Sequence, residues 1–497
     1  MDIQTTPRPV AGPALSPPGD TRHRILVDLS HAADGYVGIA QDTRLIFDML
    51  ATLPGVDVAG LLMPTARHDL PRVGGTAADE MALSAGVLHW MARNWASREY
   101  PRLLGRFGRL MELRSILRTD HKLLRVRLAE RSSAIWRVLF EKTLPPERRA
   151  AILQRPFYAT DLSVMRIIDR TMALPGLSPK RLDATGFDFV FFCMPRPVRL
   201  PRGTRQIVRF HDAVPVTDTD TIASWKTGVA HQRLVRLCEP DAVFVCNSPP
   251  SVEDLAALDP RRAERAHVIP CALAPPPPAV SIPFAAIVEA RRSFRALGDS
   301  RAQATRPPVE TAPRYILAVS TLEPRKNFTG LIRGWERVVN RSAPDLRLVI
   351  VGNAGWREEP VLRAMAPHVR AGRIIHLQGL PQDELAAIAR GAACFALPSF
   401  NEGFGYPPLE ALQAGTPVIV SDLPVFRWIF GDGALYVEPY DAESIADAIE
   451  RLAAAPDADM RRAELLSRRS AVINRFTTAT IREQWAALLD SLQPPSR

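Results

Sequence analysis

Residues 397–422 read LPSFNEGFGYPPLEALQAGTPVIVSD, and this stretch is the most specific indication of the fold class. A short apolar run leads into a glycine-punctuated loop, a helix begins near Pro408, and a second apolar run follows from Pro417. That order of strand, loop, helix and strand is the repeating unit of a parallel α/β sheet. Two carboxylates, Glu402 and Glu410, stand eight residues apart within it.

The loop and the helix start within this stretch are suited to an anion. The glycines around Gly403-Phe404-Gly405 let backbone N–H groups approach a ligand closely, and a helix N-terminus favours phosphate. Glu410 lies in the first helical turn and can accept two hydroxyl hydrogen bonds from a ribose. The alternative is a glutamate favoured there by the helix dipole, with glycines in an ordinary turn.

Outward from this stretch, the same alternation fills the C-terminal half. Strands are predicted at Tyr315–Val319, Leu346–Val351, Ile374–Leu377, Cys394–Leu397 and Pro417–Val420. Helices are predicted at Asn327–Asn340, Gln382–Arg390, Pro408–Ala414 and Ala442–Ala453. The pattern predicts a doubly wound sheet, whose ligands bind outside the carboxyl ends of the strands.

A pair of cations follows the first strand of this series. Ser320–Asn327 reads STLEPRKN, so Arg325 and Lys326 lie at a strand-to-helix turn. Arginine is a bidentate fork and lysine a point charge, and together they suit a diphosphate. The alternative is a solvated cationic loop.

The N-terminal half opens with a similar unit. A strand at Ile25–Ser30, a glycine loop ending at Gly38 and a helix over Ile39–Leu53 are predicted. Later, His211 follows the strand Gln206–Phe210 and is expected to point into the cleft between the two halves. Alternatively, His211 has no role in binding, and its neighbour Asp212 satisfies the hydrogen-bonding needs of its side chain. Neither a G-x-G-x-x-G fingerprint nor a G-x-x-x-x-G-K-[ST] loop is present.

These elements divide the chain into two Rossmann-like domains that face a cleft. We predict a disordered tail over 1–21, a first domain over 22–275, a Pro-rich linker over 276–312 and a second domain over 313–476. Residues 477–497 are predicted to form a C-terminal helix that packs back on the first domain.

Residues 64–185 depart from the alternation and are predicted as a helical, basic insertion in the first domain. Between Met91 and Ala150 there are 15 Lys and Arg against 6 Asp and Glu, a net charge of +9 out of +10 for the whole chain. One helical arc carries Arg98, Arg102, Arg106 and Arg109. This block predicts contact with an anionic membrane or a lipid-diphosphate acceptor, and the alternative is a solvated helical face.

Composition excludes several classes of protein. At 497 residues, with 46% hydrophobic and 23% charged residues, the chain is neither wholly disordered nor a simple coiled coil. Its five cysteines have no C-x-x-C spacing, so neither a zinc site nor a disulfide framework is expected. No 18-residue apolar run and no secretory h-region is present. We therefore expect a cytoplasmic location, with peripheral attachment to the inner face of the cell membrane.

Taken together, the chain resembles the retaining GT-B glycosyltransferases of the large family 4, which use nucleotide sugars. The Glu402-x7-Glu410 stretch is close to that family's signature, and GDGALYVEPYDAESIADAI, STLEPRKNFTGLI, IVRFHDAVPV and DLSHAADGYVGIAQDTR resemble its other motifs. The resemblance covers roughly 22–63, 185–275 and 313–490. The pattern NEGFGYPPLEA with GDGALYVEP is most similar to the mannosyl- and rhamnosyltransferases of polysaccharide assembly.

The resemblance implies a role for each matched residue. Arg325 and Lys326 would hold the donor diphosphate, Glu410 the ribose, and Glu402 the donor sugar and the transition state. The backbone amides of Gly403, Phe404 and Gly405 and the helix start at Gly38 would also contact the donor. The side chain of His211 would reach the donor sugar or its phosphate. No metal and no cofactor is expected. Tyr406 departs from the family, which usually has leucine there.

The expected activity is therefore transfer of a hexose, with mannose from GDP-mannose as the first candidate, to a hydroxyl of a growing polysaccharide or lipid-linked glycan. The expected partners are a nucleotide sugar, that acceptor and an anionic membrane surface, without nucleic acid. Two alternatives stay open: another GT-B enzyme, either a nucleotide-sugar epimerase or a phosphorylase, and a non-catalytic protein that binds membrane or nucleic acid through the basic insertion.

Overall fold

The structure is a computed structural model that describes residues 23–35, 38–64, 86–87, 117, 119–126, 132–173, 178–217, 225–277, 282–296 and 313–492. The predicted tail and the four arginines of the basic arc lie outside these residues. Two α/β domains are present, each built on a largely parallel sheet.

The first domain contains an eight-stranded sheet in the order β11-β10-β9-β7-β1-β2-β5-β4 and a three-stranded sheet in the order β3-β6-β8. Only the pair β4–β5 is antiparallel among the described strands. The strands are β1 His23–Asp28, β2 Val56–Leu62, β3 Asp120–Lys122, β4 Leu124–Arg125, β5 Phe157–Ala159, β6 Lys180–Asp183, β7 Phe189–Phe192, β8 Val198–Arg199, β9 Arg205–Phe210, β10 Val243–Cys246 and β11 His267–Val268. The α-helices are α1 Ile39–Ala51, α2 Ser132–Ile135, α3 Arg149–Leu153, α4 Val164–Ala173, α5 Val214–Thr217, α6 Trp225–Arg236, α7 Pro249–Leu258 and α8 Pro260–Ala263.

The second domain is a six-stranded parallel sheet in the order β14-β13-β12-β15-β16-β17. Its strands are β12 Tyr315–Val319, β13 Arg347–Val351, β14 Ile374–Leu377, β15 Cys394–Leu397, β16 Val418–Ser421 and β17 Leu435–Val437, and three of the five predicted strands have the predicted bounds. The helices of the C-terminal half are α9 Phe284–Ala296, α10 Phe328–Arg341, α11 Glu359–Arg370, α12 Gln382–Gly391, α13 Tyr406–Ala414, α14 Pro424–Phe430, α15 Ala442–Ala453, α16 Ala458–Ser467, α17 Arg469–Ile473 and α18 Thr478–Ser491.

The strand order fixes where a ligand can lie. Counting from β12, the second sheet runs 3-2-1-4-5-6, which is the doubly wound order of nucleotide-binding domains. β12 and β15 are parallel neighbours, and the order in which strands are added to the sheet reverses between them, so the loops that follow these two strands border one crevice. Both predicted motifs of the second domain, at 320–327 and 398–405, lie in these two loops.

The described part of 64–185 differs from the predicted helical insertion. Besides short helices, it contributes β4 and β5 to the main sheet and β3 and β6 to the small one. These strands have two to four residues, which is too short for a period-two pattern to emerge. Pairing with distant strands stabilises them instead; for example, β5 pairs with β2, about a hundred residues earlier.

The segment predicted as a linker also contains regular structure. Helix α9 lies within it and packs on the second domain through Ile287, Val288 and the Phe284 ring, which is 4.8 Å from the ring of Tyr315. At the other end of that domain, α18 returns to the first domain, where Trp485 stacks edge-on against Phe191. The C-terminal helix thus joins the two domains. None of the described helices is long and apolar enough to cross a membrane.

Candidate functional site

The crevice between β12 and β15 holds a compact group of four charged side chains. Arg325 and Lys326 form the 3-10 turn after β12, and Glu402 belongs to the loop after β15. Lys326 Nζ donates to Glu402 Oε1 at 2.7 Å, and Arg325 Nη1 donates to Glu402 Oε2 at 3.1 Å. Arg325 also donates to Glu323 Oε1, at 2.8 Å from Nη2. Two cations therefore face two carboxylates in a largely buried site.

The backbone holds this group in place. Asn327 ends the cationic turn with a positive φ of 53° and caps α10, where its Oδ1 accepts from the Gly330 amide at 3.1 Å. Its amide nitrogen donates to the carbonyls of Pro398 and Pro439. The Phe400 amide donates to the Arg325 carbonyl at 2.8 Å. The two loops are thus tied directly to each other, independently of the charged side chains.

The charges in this group shift each other's pKa. Burial by itself raises the pKa of Glu402, but the positive charges of Lys326 and Arg325 and the hydrogen bonds to Glu402 lower it to about 2. Burial lowers the pKa of Lys326, and the neighbouring guanidinium of Arg325 lowers it further, against the opposing effect of Glu402. Glu402 is therefore a permanent anion at neutral pH.

The cations keep unused donors. An ammonium has three N–H groups and a guanidinium five. Lys326 uses one on Glu402, which leaves two. Arg325 uses its Nε, one Nη2 and both Nη1 hydrogens on Glu323, Asn401 and Glu402, which leaves one. Among the described residues, three donors in this crevice are thus available for an anion.

The loop after Glu402 brings the two domains into contact. A Cβ atom on Gly403 would lie 2.5 Å from Asp212 Oδ2, so only glycine permits this approach of the second domain to the strand end at β9. Gly405 has a φ of 95°, and a Cβ there would meet the Phe426 ring. The side chain of Phe404 is buried against Tyr406 and Phe476. Its ring therefore anchors the loop, while only its amide could face a ligand.

Glu410 has a very different environment from Glu402. It lines a mostly apolar cavity of about 80 Å³ together with Leu317, Leu380 and residues 274–277, where the first domain leads into the predicted linker. Gln41 Nε2, from α1 of the first domain, donates to Glu410 Oε1 at 2.9 Å. Burial raises the pKa of Glu410 to about 7, and the hydrogen bond from Gln41 only partly offsets this. Glu410 thus changes its protonation close to neutral pH.

The glycine loop of the first domain is shaped by a buried arginine. Gly38 has a φ of 74° and caps α1. One helical turn later, the buried side chain of Arg44 donates to the carbonyls of Ala32 and Gly35 and, across the insertion, to the carbonyl of Leu139 at 2.8 Å. Arg44 therefore holds the chain before α1 in position and joins it to residues about a hundred positions later.

His211 follows β9, at the wall of the cleft opposite the cations. Its Nε2 lies 3.1 Å from the Cys193 carbonyl, which can only accept, so this nitrogen carries the proton. Burial is the main reason that the pKa of His211 falls to about 4, and the charge of Arg209 contributes to the decrease. At neutral pH the imidazole is uncharged, and its Nδ1 is an acceptor.

A second buried ion pair lies within the first domain, beside His211, and a hydroxyl from the second domain approaches it. Arg209 Nε donates to Asp42 Oδ2 at 2.8 Å, and the hydroxyl of Tyr406 lies 3.5 Å from Asp42 Oδ1. Asp42, His211 and Cys271 offer ligand atoms within 4.8 Å of one another, a spacing that a metal ion could use. However, Arg209 also donates to Cys271 Sγ at 3.3 Å, and its guanidinium supplies positive charge where a cation would lie. This donor set does not suit a metal.

The structure thus gathers the sequence-predicted residues around one cleft. Arg325, Lys326 and Glu402 are in direct contact, and Glu410 follows on the same segment. His211 and Gly38 come from the opposite domain. Arg98, Arg102, Arg106 and Arg109 lie outside the described residues, so the membrane prediction for them stays a prediction.

Sequence reasoning missed the first-domain residues that approach or organise the site. They are Gln41, Asp42, Arg44 and Arg209. A signal was available in part, because four successive polar side chains at 41–44 in a mostly apolar helix need partners when they are buried. Their partners could not be read from the sequence, since Glu410 is 369 residues away.

Comparison with known proteins agrees with this architecture. The model of the family Glycosyl transferases group 1 matches residues 300–465, about a third of the chain. O-antigen chain mannosyltransferase B of Escherichia coli is 33% identical over 132 residues, 27% of this chain and 35% of that protein. Phosphatidyl-myo-inositol mannosyltransferase of Mycobacterium tuberculosis is 32% identical over 170 residues, 33% of this chain and 43% of that protein. The matched part thus spans well under half of these relatives.

Solved structures extend the likeness to nearly the whole chain. Sucrose-phosphate synthase from Thermosynechococcus elongatus matches with a TM-score of 0.52 at 15% identity, over 94% of this chain and 98% of that one. Anabaena HepE, solved with UDP-glucose, also matches with a TM-score of 0.52 at 15% identity, over 95% of this chain and 100% of that one. At this identity the likeness concerns the fold. The chain therefore contains a glycosyl transferases group 1 domain within a two-domain GT-B fold.

Proposed function

We propose that the protein is a retaining glycosyltransferase that moves a hexose from a nucleotide sugar to a hydroxyl of a growing polysaccharide or lipid-linked glycan. The observation that carries this proposal is the buried pair Arg325 and Lys326, with unused N–H donors at the switch point of a doubly wound sheet. Such a position is where α/β domains bind phosphorylated ligands.

The chemistry follows from charge. Breaking the bond between the anomeric carbon and the diphosphate develops positive charge on the sugar and negative charge on the leaving group. Fixed cations at the leaving group stabilise that transition state, because they need no reorganisation when the charge appears. Arg325 and Lys326 supply them, and Glu402 holds both cations in position. A metal ion is then not required for this step, and retention follows from front-face attack by the acceptor hydroxyl, assisted by the leaving phosphate.

The other residues take supporting roles. Glu410 accepts hydrogen bonds from the ribose, and Leu380, which lines the same cavity, lies beside the base. The neutral imidazole of His211 accepts from a hydroxyl of the donor sugar through Nδ1. The amides of Gly403, Phe404 and Gly405, together with the helix start at Gly38, approach the sugar and the diphosphate.

The finer proposal is mannose transfer from GDP-mannose. It is supported by the names of two relatives, since O-antigen chain mannosyltransferase B and the phosphatidyl-myo-inositol enzyme are both called mannosyltransferases. We further propose that the basic insertion attaches the enzyme to an anionic membrane beside its acceptor. Pelleting with anionic vesicles tests this, and a variant with Arg98, Arg102, Arg106 and Arg109 changed to Glu that still pellets like the unchanged protein contradicts it.

The first experiment is a thermal-shift measurement with GDP, UDP, dTDP and ADP sugars in the presence of EDTA. We expect GDP-mannose to raise the Tm by several degrees, because a ligand that binds only the folded state stabilises it. A sugar-transfer assay with the stabilising donor follows. Conversion of the nucleotide sugar into an epimer, or cleavage that depends on phosphate, would instead identify one of the other GT-B enzymes. Absence of any shift contradicts the proposed donor site.

A further inference from the structure

The first helix of the N-terminal domain sends one side chain into the proposed donor site. Gln41 lies in the first turn of α1, three residues after the cap Gly38, and its side chain is fully buried. It crosses to the second domain and donates from Nε2 to Glu410 Oε1 at 2.9 Å. The two residues are 369 positions apart, so this contact exists only when the domains face each other as they do here.

Both partners in this contact are left with an acceptor that makes no hydrogen bond. Gln41 Oε1 is buried and has no partner, which is uncommon for a buried amide oxygen. Glu410 Oε2 also receives no hydrogen bond from the described residues, and Glu410 lines the cavity at the domain boundary. The hydrogen-bonded pair of Gln41 and Glu410 thus carries two acceptors that lack donors, one from each domain.

The chemistry of this pair specifies the ligand group that would satisfy it. Two acceptors carried by one hydrogen-bonded pair of side chains call for a ligand group with two donors, and a vicinal diol supplies them. A phosphate does not, because its oxygens are acceptors. Resting on the proposed function, in which Glu410 holds the donor ribose, we infer that Gln41 is the first-domain half of the ribose site, so that one ribose hydroxyl donates to Gln41 Oε1 and the other to Glu410.

This arrangement makes the ribose a link between the domains. The second domain alone would hold the diphosphate through Arg325 and Lys326 and one hydroxyl through Glu410. The remaining hydroxyl is recognised only when α1 is in place. Asp42, the next residue of α1, is fixed by its ion pair with Arg209, which holds the helix turn that carries Gln41. Gln41 therefore contributes to donor affinity without taking part in the chemical step.

The test is a hydroxyl-deletion series measured by titration calorimetry on the full chain. GDP, 2′-deoxy-GDP and 3′-deoxy-GDP are titrated into the unchanged protein and into Gln41→Met, which keeps the side-chain length and removes both polar groups. For the unchanged protein we expect each missing hydroxyl to weaken binding about 5- to 20-fold. In Gln41→Met, one of these two ratios should fall to about one while the other, carried by Glu410, is retained.

Gln413→Met is the matched control. Gln413 is on the same helix as Glu410, and its amide also makes a long-range hydrogen bond, to the Ala274 carbonyl at 3.1 Å. This variant should weaken binding of all three nucleotides equally, if at all, and leave both ratios unchanged.

Three results would overturn the inference. Both affinity ratios could persist in Gln41→Met, or this variant could bind GDP more tightly than the unchanged protein. The third result is that the unchanged protein binds GDP and both deoxy-GDP ligands equally well. The second result would mean that the amide only competes with the ligand for Glu410. If the unchanged protein binds neither GDP nor UDP, the proposed function fails first, and if it binds only UDP, the deoxy-UDP series gives the same comparison.

Discussion

Glu402 and Glu410 stand eight residues apart in one segment of the chain, and both are largely enclosed by protein. Their pKa values are nevertheless shifted in opposite directions. The pKa of Glu402 is lowered to about 2, whereas that of Glu410 is raised to about 7. Burial raises the pKa of both. The difference comes from the partners, because Glu402 contacts two cations and Glu410 contacts a neutral amide at the edge of an apolar cavity.

This contrast assigns the two carboxylates to different tasks. A permanently ionised carboxylate with both oxygens occupied serves to orient cations. A carboxylate with a free oxygen and a pKa near neutral responds to a ligand. Under the proposed function, the same residue type organises the cations at one end of the segment and binds the donor ribose at the other. The following predictions test this division, beginning with the largest expected effect.

The first prediction concerns the carboxylate that holds the cations. Glu402→Gln removes the negative charge between Lys326 and Arg325, and leaving a buried charge unpaired costs about 3 kcal/mol or more. We expect the Tm to fall by roughly 6–10 °C for a domain of this size. Pyrophosphate should then stabilise the variant more than the unchanged protein, because it replaces the missing charge.

Glu464→Gln is the control for this measurement. Glu464 is 69% exposed and forms a long surface pair with Arg468 at 3.8 Å, so its loss should change stability by at most about 0.5 kcal/mol. A Glu402→Gln variant as stable as this control would show that the cations do not depend on Glu402.

The second prediction concerns one of the cations themselves. Lys326→Ala removes a fixed charge at the proposed leaving group, and we expect kcat to fall about 10²–10³-fold, as for loss of one preorganised transition-state contact. Steady-state assays with the donor found by thermal shift measure it. Arg333→Ala removes an exposed charge from α10, near the same end of the domain, and should leave kcat unchanged. A loss of less than tenfold at Lys326 would contradict its role.

The third prediction uses the raised pKa of Glu410. Only the ionised carboxylate is a full acceptor for hydroxyls, and it becomes protonated as the pH falls through about 7. Donor affinity should therefore decrease about tenfold from pH 8 to pH 6, since each unit below the pKa costs up to a factor of ten. A nucleotide sugar is the right ligand, because its diphosphate diester does not titrate in this range.

Calorimetry at the two pH values, with Glu410→Gln as the comparison, completes this test. The variant should bind more weakly at pH 8 and show no dependence on pH. A pH dependence that persists in the variant would have to arise from another group.

The smallest effect is expected at the contact that ties this segment to the first domain. Tyr406→Phe removes a hydroxyl 3.5 Å from Asp42 and keeps the ring packed on Phe404. It should therefore lower the free energy of unfolding by only about 0.5 kcal/mol. Asp42→Asn removes the negative charge that pairs with Arg209, and it should lower the free energy of unfolding by about 3 kcal/mol or more. Equal changes in Tm for the two variants would mean that the hydroxyl contributes as much to stability as the ion pair inside the first domain, which contradicts this expectation.

Sequence patterns predicted five of the six strands in the second domain and four of its helices. Local apolar runs located its strands, and the Glu402–Glu410 stretch and the Arg325-Lys326 turn identified the loops that border the crevice. These features are local, because strand and helix periodicity and motif spacing involve residues within one or two turns of each other. The short strands of 64–185 and helix α9 were missed because they depend on distant packing partners.

The partners and protonation of the site residues depend on the tertiary structure. The opposite shifts of Glu402 and Glu410 depend on which charges and apolar walls surround them, and Gln41 reaches Glu410 from 369 residues away. Likewise, Arg209 forms an ion pair with Asp42, which lies 167 residues earlier in the sequence. Burial and charge–charge interactions act through space, so a sequence can name the ionisable groups of a cleft but only the fold sets their protonation and their partners.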